Sequence, residues 1–203
     1  ARAEALAPKL VERQAETEAL RRYPQATHEE IEAAGLYRIL VPRRYGGYEF
    51  DLPTFWRVVI ALARGCPSTA WCFCLAAGHA LQVGSLFEER AQAELFGDGD
   101  FLCPAVAAPA GEATRTADGW LLNGTHTYSS GAPYSTHFMG QTFVREEGDA
   151  PPRLLLFAAP RSEWEMLDDW GDALGMKGSG SQSVRLENGR IPAHFALEDT
   201  WLV

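Results

Sequence analysis

The sequence predicts an α+β fold, a helical N-terminal domain over residues 1–99 followed by a small antiparallel β domain over residues 100–203. Three observations predict it. Up to Phe96, apolar residues recur at three- and four-residue spacing behind proline-marked starts. From Phe101 onward they fall into short or alternating runs cut by Gly, Pro and Asp. Between the two patterns stand Gly97-Asp98-Gly99-Asp100, four consecutive turn formers that seldom lie inside an element.

In the helical half, residues Arg2 to Arg22 are rich in Ala, Glu, Leu and Arg and predict one surface helix ending before Tyr23-Pro24. Thr27-His28-Glu29-Glu30 has the spacing of a capping box and opens a helix through Ile31 that Gly35 weakens near its end. Pro42 and the pair Gly46-Gly47 terminate the next stretch. Asp51-Leu52-Pro53-Thr54 starts a helix whose Phe55, Val58, Val59 and Leu62 share one face. Pro67 starts a long helix to about Val83 that is apolar on nearly every side, which predicts burial against several neighbours and exposed apolar surface where this chain supplies too few. His79 is its one strongly polar deep position, open to two readings: a satisfied core histidine, or an acid/base group. A short helix from Glu88 to Phe96 closes the half.

In the second half the expected strands are Phe101 to Ala107, Ala113 to Thr116, Trp120 to Leu122, Phe138 to Arg145, Leu154 to Ala159, Trp164 to Leu167 and Ser183 to Glu187. Asp118-Gly119 reads as a type I′ hairpin turn, and Asn123-Gly124 reads as a second sharp reversal. Tyr128-Ser129-Ser130-Gly131 then sets an aromatic face, two hydroxyls and a flexible backbone side by side, suited to a planar ligand with a polar edge or to a plain serine-rich turn. Residues 146–152 read as a solvated hairpin loop. Gly175 to Ser181 lacks the spacing of a phosphate-binding P-loop and reads either as a tight turn able to approach a ligand or as a flexible connection.

Composition narrows the function classes. The 203 residues are 46% hydrophobic and 22% charged, which permits a substantial core. A formal net charge of −9 without a Lys/Arg cluster argues against a nucleic-acid surface. No apolar run reaches the roughly 20 residues that span a bilayer, and the N-terminal residues lack a signal peptide's apolar core, so a cytoplasmic location is expected. Cys66, Cys72, Cys74 and Cys103 form neither a CxxC pair nor a zinc-type ligand set and read as reduced structural thiols, with no metal expected.

Three stretches taken together resemble the acyl-CoA dehydrogenase superfamily. They are Leu40 to Gly47 (LVPRRYGG), Gly119 to Gly131 (GWLLNGTHTYSSG) and Asp169 to Ser181 (DWGDALGMKGSGS) followed by Ile191-Pro192. The Ser130-Gly131 pair and the Gly-Ser-Gly-Ser turn are more similar to its flavin-dependent monooxygenase branch, the oxygenase components akin to p-hydroxyphenylacetate hydroxylase and the steroid-ring 3-hydroxylase. The dehydrogenases' Thr-Glu-Pro-x-Ala-Gly-Ser-Asp stretch is replaced by Ala107 to Ala113 (AAPAGEA), which keeps Pro and Gly but loses the hydroxyls and acid and so puts CoA-thioester oxidation in doubt.

The resemblance implies a β domain whose loops hold a flavin, and a C-terminal four-helix bundle that drives tetramer formation and is absent from this sequence, which ends at Val203. It implies FMN or FAD, supplied reduced by a separate reductase, and hydroxylation of a small aromatic or heteroatom substrate with oxygen through a C4a-hydroperoxyflavin. Carried over by position, Ser130 and His79 are the catalytic candidates, Ser130 near flavin N5 and His79 on the substrate side. Cys103, Ala105, Tyr128, Ser129, Ser130, Gly131, Gly178, Ser179 and Gly180 are the cofactor-binding candidates. An acyl-CoA dehydrogenase and a non-catalytic flavin-fold subunit are the alternatives.

Overall fold

The computed structural model describes residues 1–201 except Asp98, Asp100, residues 146–150 and Asp172. The helical half comprises α1 (Arg2–Glu12), α2 (Gln14–Ala19), α3 (Gln25–Ala33), α4 (Leu52–Ala63), α5 (Pro67–Gly78), α6 (Ala80–Leu86) and α7 (Glu89–Phe96). Asp51 caps α4 by accepting the Thr54 amide at 2.9 Å, and Pro67 occupies the first turn of α5, where a missing amide proton costs nothing. Gly35, at φ +70°, ends the α3 region in the left-handed conformation.

Three helical expectations are corrected. The single helix over Arg2 to Arg22 is two, because Arg13 leaves helical geometry (φ −94°, ψ 5°) and its guanidinium reaches Thr27 and Glu30 at 3.0 Å. Those same contacts replace the capping box. Helix α3 starts earlier, behind Pro24, whose carbonyl takes the Thr27 amide at 2.9 Å, so Thr27 lies inside the helix with its hydroxyl accepting from Arg13. The long helix from Pro67 breaks between Gly78 and Ala80, with His79 at the junction. Most of α5 is buried, and the exposed apolar side chains of the helical half include Trp71, Leu81 and Leu86 together with Leu52, Trp56 and Ile60 of α4.

The second half holds β1 (Ala105–Val106), β2 (Glu112–Arg115), β3 (Gly119–Ser129), β4 (His137–Val144), β5 (Arg153–Pro160), β6 (Glu165–Met166), β7 (Gln182–Pro192) and β8 (Ala196–Glu198). Its sheet runs β6-β7-β3-β2-β4-β5-β8 and is mostly antiparallel, with β1 and β2 pairing parallel to β4. The expected first strand is confined to β1, because the preceding backbone serves the helices and loops: Cys103 N donates to Ala76 O at 2.9 Å, and Leu102 O accepts from Thr136 and His137. The β2–β3 turn closes between Thr116 and Gly119, one residue earlier than Asp118-Gly119 predicts, with only Gly119 at positive φ. The loop expected over residues 146–152 falls partly outside the described residues.

Asn123-Gly124 does not reverse the chain. β3 continues through it for 11 residues because β7 pairs along both sides of the site, and the local turn preference appears only as a bulge between Leu122 and Gly124. Gly124, at φ +157°, lies against Gly111 so closely that a Cβ on Gly111 would stand 2.5 Å from the Gly124 Cα.

The sheet interior is largely apolar around Phe138, Phe157, Leu155 and Leu156, but it also buries polar side chains. His126 on β3 is buried between Phe138 and Phe157, ring centroids 5.2 and 5.8 Å away, and its Nδ1 has no hydrogen-bond partner. Burial alone pulls the imidazole down from 6.5 to about 4. The unfolded chain takes up this proton at the ordinary imidazole pH and the folded one only near pH 4. His126 therefore contributes fully to stability above pH 6.5, and that contribution is lost as pH falls toward 4. Urea unfolding at pH 7.5 and 4.5 tests this: wild type loses about 2–3 kcal/mol more than His126→Leu between the two pH values, from 1.36 kcal/mol per pKa unit.

Candidate functional site

The C-terminal end of β3 breaks from regular strand geometry at the stretch the sequence singles out. Its register against β7 shifts between His126 and Ser129, Tyr128 takes a left-handed backbone at φ +62°, and Ser130 N turns back to Tyr128 O at 3.0 Å. A non-glycine residue there carries strain that a tight turn must hold in place. The result separates three neighbouring side chains. Tyr128 stands 72% exposed, Ser129 is fully buried with its Oγ unpartnered, and Ser130 points toward the helices.

Ser130 meets two other segments. Its Oγ accepts from Trp71 Nε1 of α5 at 3.1 Å and lies 2.7 Å from Ser181 Oγ, which lies 2.6 Å from Ser179 Oγ. Gly131 N donates to Ser179 O at 3.0 Å, and the Cys72 thiol donates to the same carbonyl at 3.0 Å. A Cβ at Gly131, which sits at φ +85°, would come within 3.2 Å of Cys72 O. The left-handed backbone favours glycine, and the space for a side chain is tight. The 178–180 turn faces the helical half: Gly178 lies against Thr17, and Gly180 N donates to Arg21 O at 2.9 Å. The Ser179 and Gly180 amides that the sequence reading offers to a ligand are thus engaged by Met176 O and Arg21 O.

Beside Tyr128 opens a pocket of about 360 Å³ lined by Thr127, Asp169, Trp170, Ser181 and Ser183 among others. Its second aromatic wall is Trp170, edge-on to Tyr128 with centroids 6.1 Å apart. Gln182 Oε1 holds that wall by accepting the Asp169 and Trp170 amides at 2.8 and 2.7 Å, and the indole donates to Lys177 O at 2.9 Å. Burial opposes ionisation of Asp169, but hydrogen bonding to Ser183 outweighs it and holds the carboxyl below its ordinary value. Among the described residues, the pocket combines flat aromatic walls, hydroxyls and the Asp169 carboxylate, and its lining includes no basic side chain.

His79 lies apart from the serines. Its Nδ1 is 2.7 Å from Cys103 O, and because a carbonyl only accepts, Nδ1 carries the proton and Nε2 is left as the acceptor in the neutral ring. Burial lowers its pKa from 6.5, against the raising effect of its backbone bonds to Cys103 and Leu75, so the ring is neutral at pH 7. Cys103 is buried, its thiol pushed up by desolvation, and Ala105 is half-buried on β1. Of the sequence candidates, the structure gathers Tyr128, Ser130, Gly131 and Ser179 around one junction and places His79 and Cys103 at another. The sequence reading names neither Trp71 nor Trp170 as a site residue. An isolated tryptophan in an apolar helix signals only core, and the single available clue to Trp170 is its place in the Asp169 to Ser181 motif.

This architecture is shared with known proteins. Residues 2–92 match the family described as acyl-CoA dehydrogenase, N-terminal domain. The chain is 32% identical, over 97% of its length, to the flavin-dependent monooxygenase oxygenase subunit HsaA of Rhodococcus jostii, covering 51% of that protein. It is 32% identical, over 92% of its length, to the p-hydroxyphenylacetate 3-hydroxylase oxygenase component of Acinetobacter baumannii, covering 44% of it. The structure of XiaF from Streptomyces in complex with FADH2 and glycerol superposes with a TM-score of 0.89 at 30% identity, over 97% of this chain and 49% of that one. The fold and the matched segment are similar to those of the acyl-CoA dehydrogenase superfamily. Within that superfamily its similarity is to the flavin-dependent monooxygenase branch, as the three sequence motifs imply, and the chain spans about half the length of the curated relatives it matches.

The hydroxyl geometry separates the two adjacent serines. Ser130→Ala removes the acceptor of the Trp71 indole and one partner of Ser181, and destabilises the chain by about 0.5–1.5 kcal/mol in urea unfolding. Ser129→Ala deletes a buried hydroxyl without a partner and is neutral or stabilising in the same assay.

Proposed function

We propose that this chain is the flavin-site portion of the oxygenase component of a two-component flavin-dependent monooxygenase. It receives reduced FMN or FAD from a separate reductase and hydroxylates a small aromatic or heteroatom substrate in the cytoplasm, as part of a homo-oligomer. The observation that carries the reading is the junction at the end of β3, where Tyr128, Ser130 and Gly131 meet α5 and the 178–181 turn beside an aromatic, polar-edged pocket. The reading keeps the division into a helical N-terminal domain over residues 1–99 and a β-barrel-like domain with the flavin-binding loops over residues 100–203.

A flavin fits the residues present. The exposed Tyr128 ring and the Trp170 edge suit a planar ring system, Ser181 and Ser183 give that ring hydroxyl partners, and Ser130 stands behind Ser181, bonded to it and to Trp71. Ser129, Gly131 and the turn from Gly178 to Gly180 shape the backbone beside it, whereas Cys103 stands with His79 at the second junction. The flavin, when bound, supplies the oxygen-activating chemistry. The chain's own groups position it and move the substrate proton. His79, neutral at pH 7 and with Nε2 unprotonated, is the base that takes the proton of a phenolic hydroxyl.

His79→Asn tests this assignment in the protein paired with its reductase. The variant keeps its affinity for FMN, measured by fluorescence titration, and forms product at least about tenfold more slowly, the lower part of the usual acid/base contribution. Because the base must be unprotonated, the wild-type rate falls as pH drops through the lowered His79 pKa, below 6.5, and the variant's profile lacks that limb. Loss of folding without a separable rate effect would return His79 to a core role.

A further inference from the structure

A second pocket, of about 490 Å³, opens between α1, α4 and the segment that joins α3 to α4. It shares no lining residue with the pocket beside Tyr128, and His79 is not among the residues around it. Its floor is aliphatic, with Leu36 and Ile39 from the joining segment and Val58 and Ala61 from α4. The volume falls within the range of about 300–1,000 Å³ that small-molecule sites occupy.

Backbone rather than burial holds its aromatic wall in place. Tyr48 N donates to Arg38 O and Phe50 N to Ile39 O, both at 2.9 Å, and the two rings stack with centroids 5.7 Å apart. Glu49 between them takes a left-handed backbone at φ +50° and sends its carboxylate to the Arg43 amide at 2.8 Å. A non-glycine residue in that conformation is strained, so the bonds on either side of it are what keep both rings on the pocket. Tyr48 and Phe50 nonetheless stay 36% and 48% exposed. An aromatic pair kept in water beside an apolar floor gains its missing contacts when a ligand enters.

The rim is rich in donors. Arg57 is exposed on α4 and has no hydrogen-bond or ion-pair partner among the described residues, since nearby Asp51 is engaged in capping α4 at Thr54. Arg2 of α1 donates to Ala34 O at 2.9 Å and to Tyr48 Oη at 3.4 Å. A guanidinium only donates, so the Tyr48 oxygen accepts and keeps its own proton to give. Against these donors the lining has one carboxylate among the described residues, Glu4. In a chain of net charge −9, such a rim favours an anion, and a carboxylate takes charge-assisted bonds from it. We propose that this pocket is a binding site for a small carboxylic acid with an aromatic body, its ring on the aliphatic floor against Tyr48 and Phe50 and its carboxylate at Arg57. The inference is independent of the flavin reading, because the two pockets have no residue in common.

Isothermal titration calorimetry of the chain with 3-phenylpropionate, and with 3-phenylpropylamine as a cation of the same body, tests this. The acid binds with a Kd of about 1 mM or tighter, and the amine binds more weakly. Arg57→Gln weakens the acid by roughly twofold to tenfold, the loss of one hydrogen bond, and does not weaken the amine. Phe50→Ala weakens the acid by a similar factor through the lost ring contact. Tyr128→Ala and His79→Asn leave acid binding unchanged, which separates this pocket from the candidate flavin site and from the His79 junction. Thermal unfolding checks that each variant is folded, and should Phe50→Ala not fold, the exposed Arg57→Gln still decides. Absence of saturable acid binding, an amine that binds as tightly as the acid, or an unchanged Kd in Arg57→Gln or in folded Phe50→Ala would overturn the inference. Loss of acid binding in folded Tyr128→Ala or His79→Asn would place the acid elsewhere and overturn it as well.

Discussion

The carbonyl of Ser179 holds three parts of the molecule at one point. It accepts the Gly131 amide at the end of β3 and the Cys72 thiol of α5, and its residue bridges to Arg22 between α2 and α3. Strand, helix and turn are distant in sequence, and each brings only a few atoms to the meeting. The rest of the site follows from that convergence. Gly131 takes a left-handed backbone close to Cys72 O, which favours glycine, Ser130 falls beside Trp71, and Ser181, two residues beyond Ser179, reaches the same hydroxyl. Helical half and sheet are thereby tied by backbone as well as by apolar contact.

Polar atoms are treated differently on the two sides of this junction. Within the sheet, His126 Nδ1, Ser129 Oγ and Thr142 Oγ1 are buried without partners, a cost the surrounding Phe138 and Phe157 packing must outweigh. At the junction itself, every hydroxyl of the Ser130, Ser181 and Ser179 set is bonded. A satisfied network is rigid, and rigidity is what a binding site requires of the groups that orient its ligand.

Much of the scaffold was legible because its signals are local. Asp51 caps and Pro67 begins a helix through contacts within one turn, and no distant residue competes with them. Thr27 misled for the opposite reason: Arg13, 14 residues away, claims its hydroxyl, and Pro24 has already opened the helix. Asn123-Gly124 misled because pairing with β7 on both sides outweighs the turn preference of two residues. At the site, Ser130, Gly131 and Ser179 were named from motifs and do adjoin one another, whereas Trp71 and the role of Ser181 exist only once the chain has folded. A side chain whose function is to hold another side chain leaves no periodicity to read.

The contact between Gly111 and Gly124 bears on how this chain can be varied. The two backbones cross with no room for a single methyl on the Gly111 side, so neither position has a viable intermediate through which its neighbour could later compensate. Exchange of segments with a relative therefore has to treat β2 and the first half of β3 as one block. A crossover placed between residues 111 and 124 joins halves that were fitted to different partners unless both parents carry glycine at each position. The same crossover placed at the exposed residues ahead of β2 leaves the fit intact.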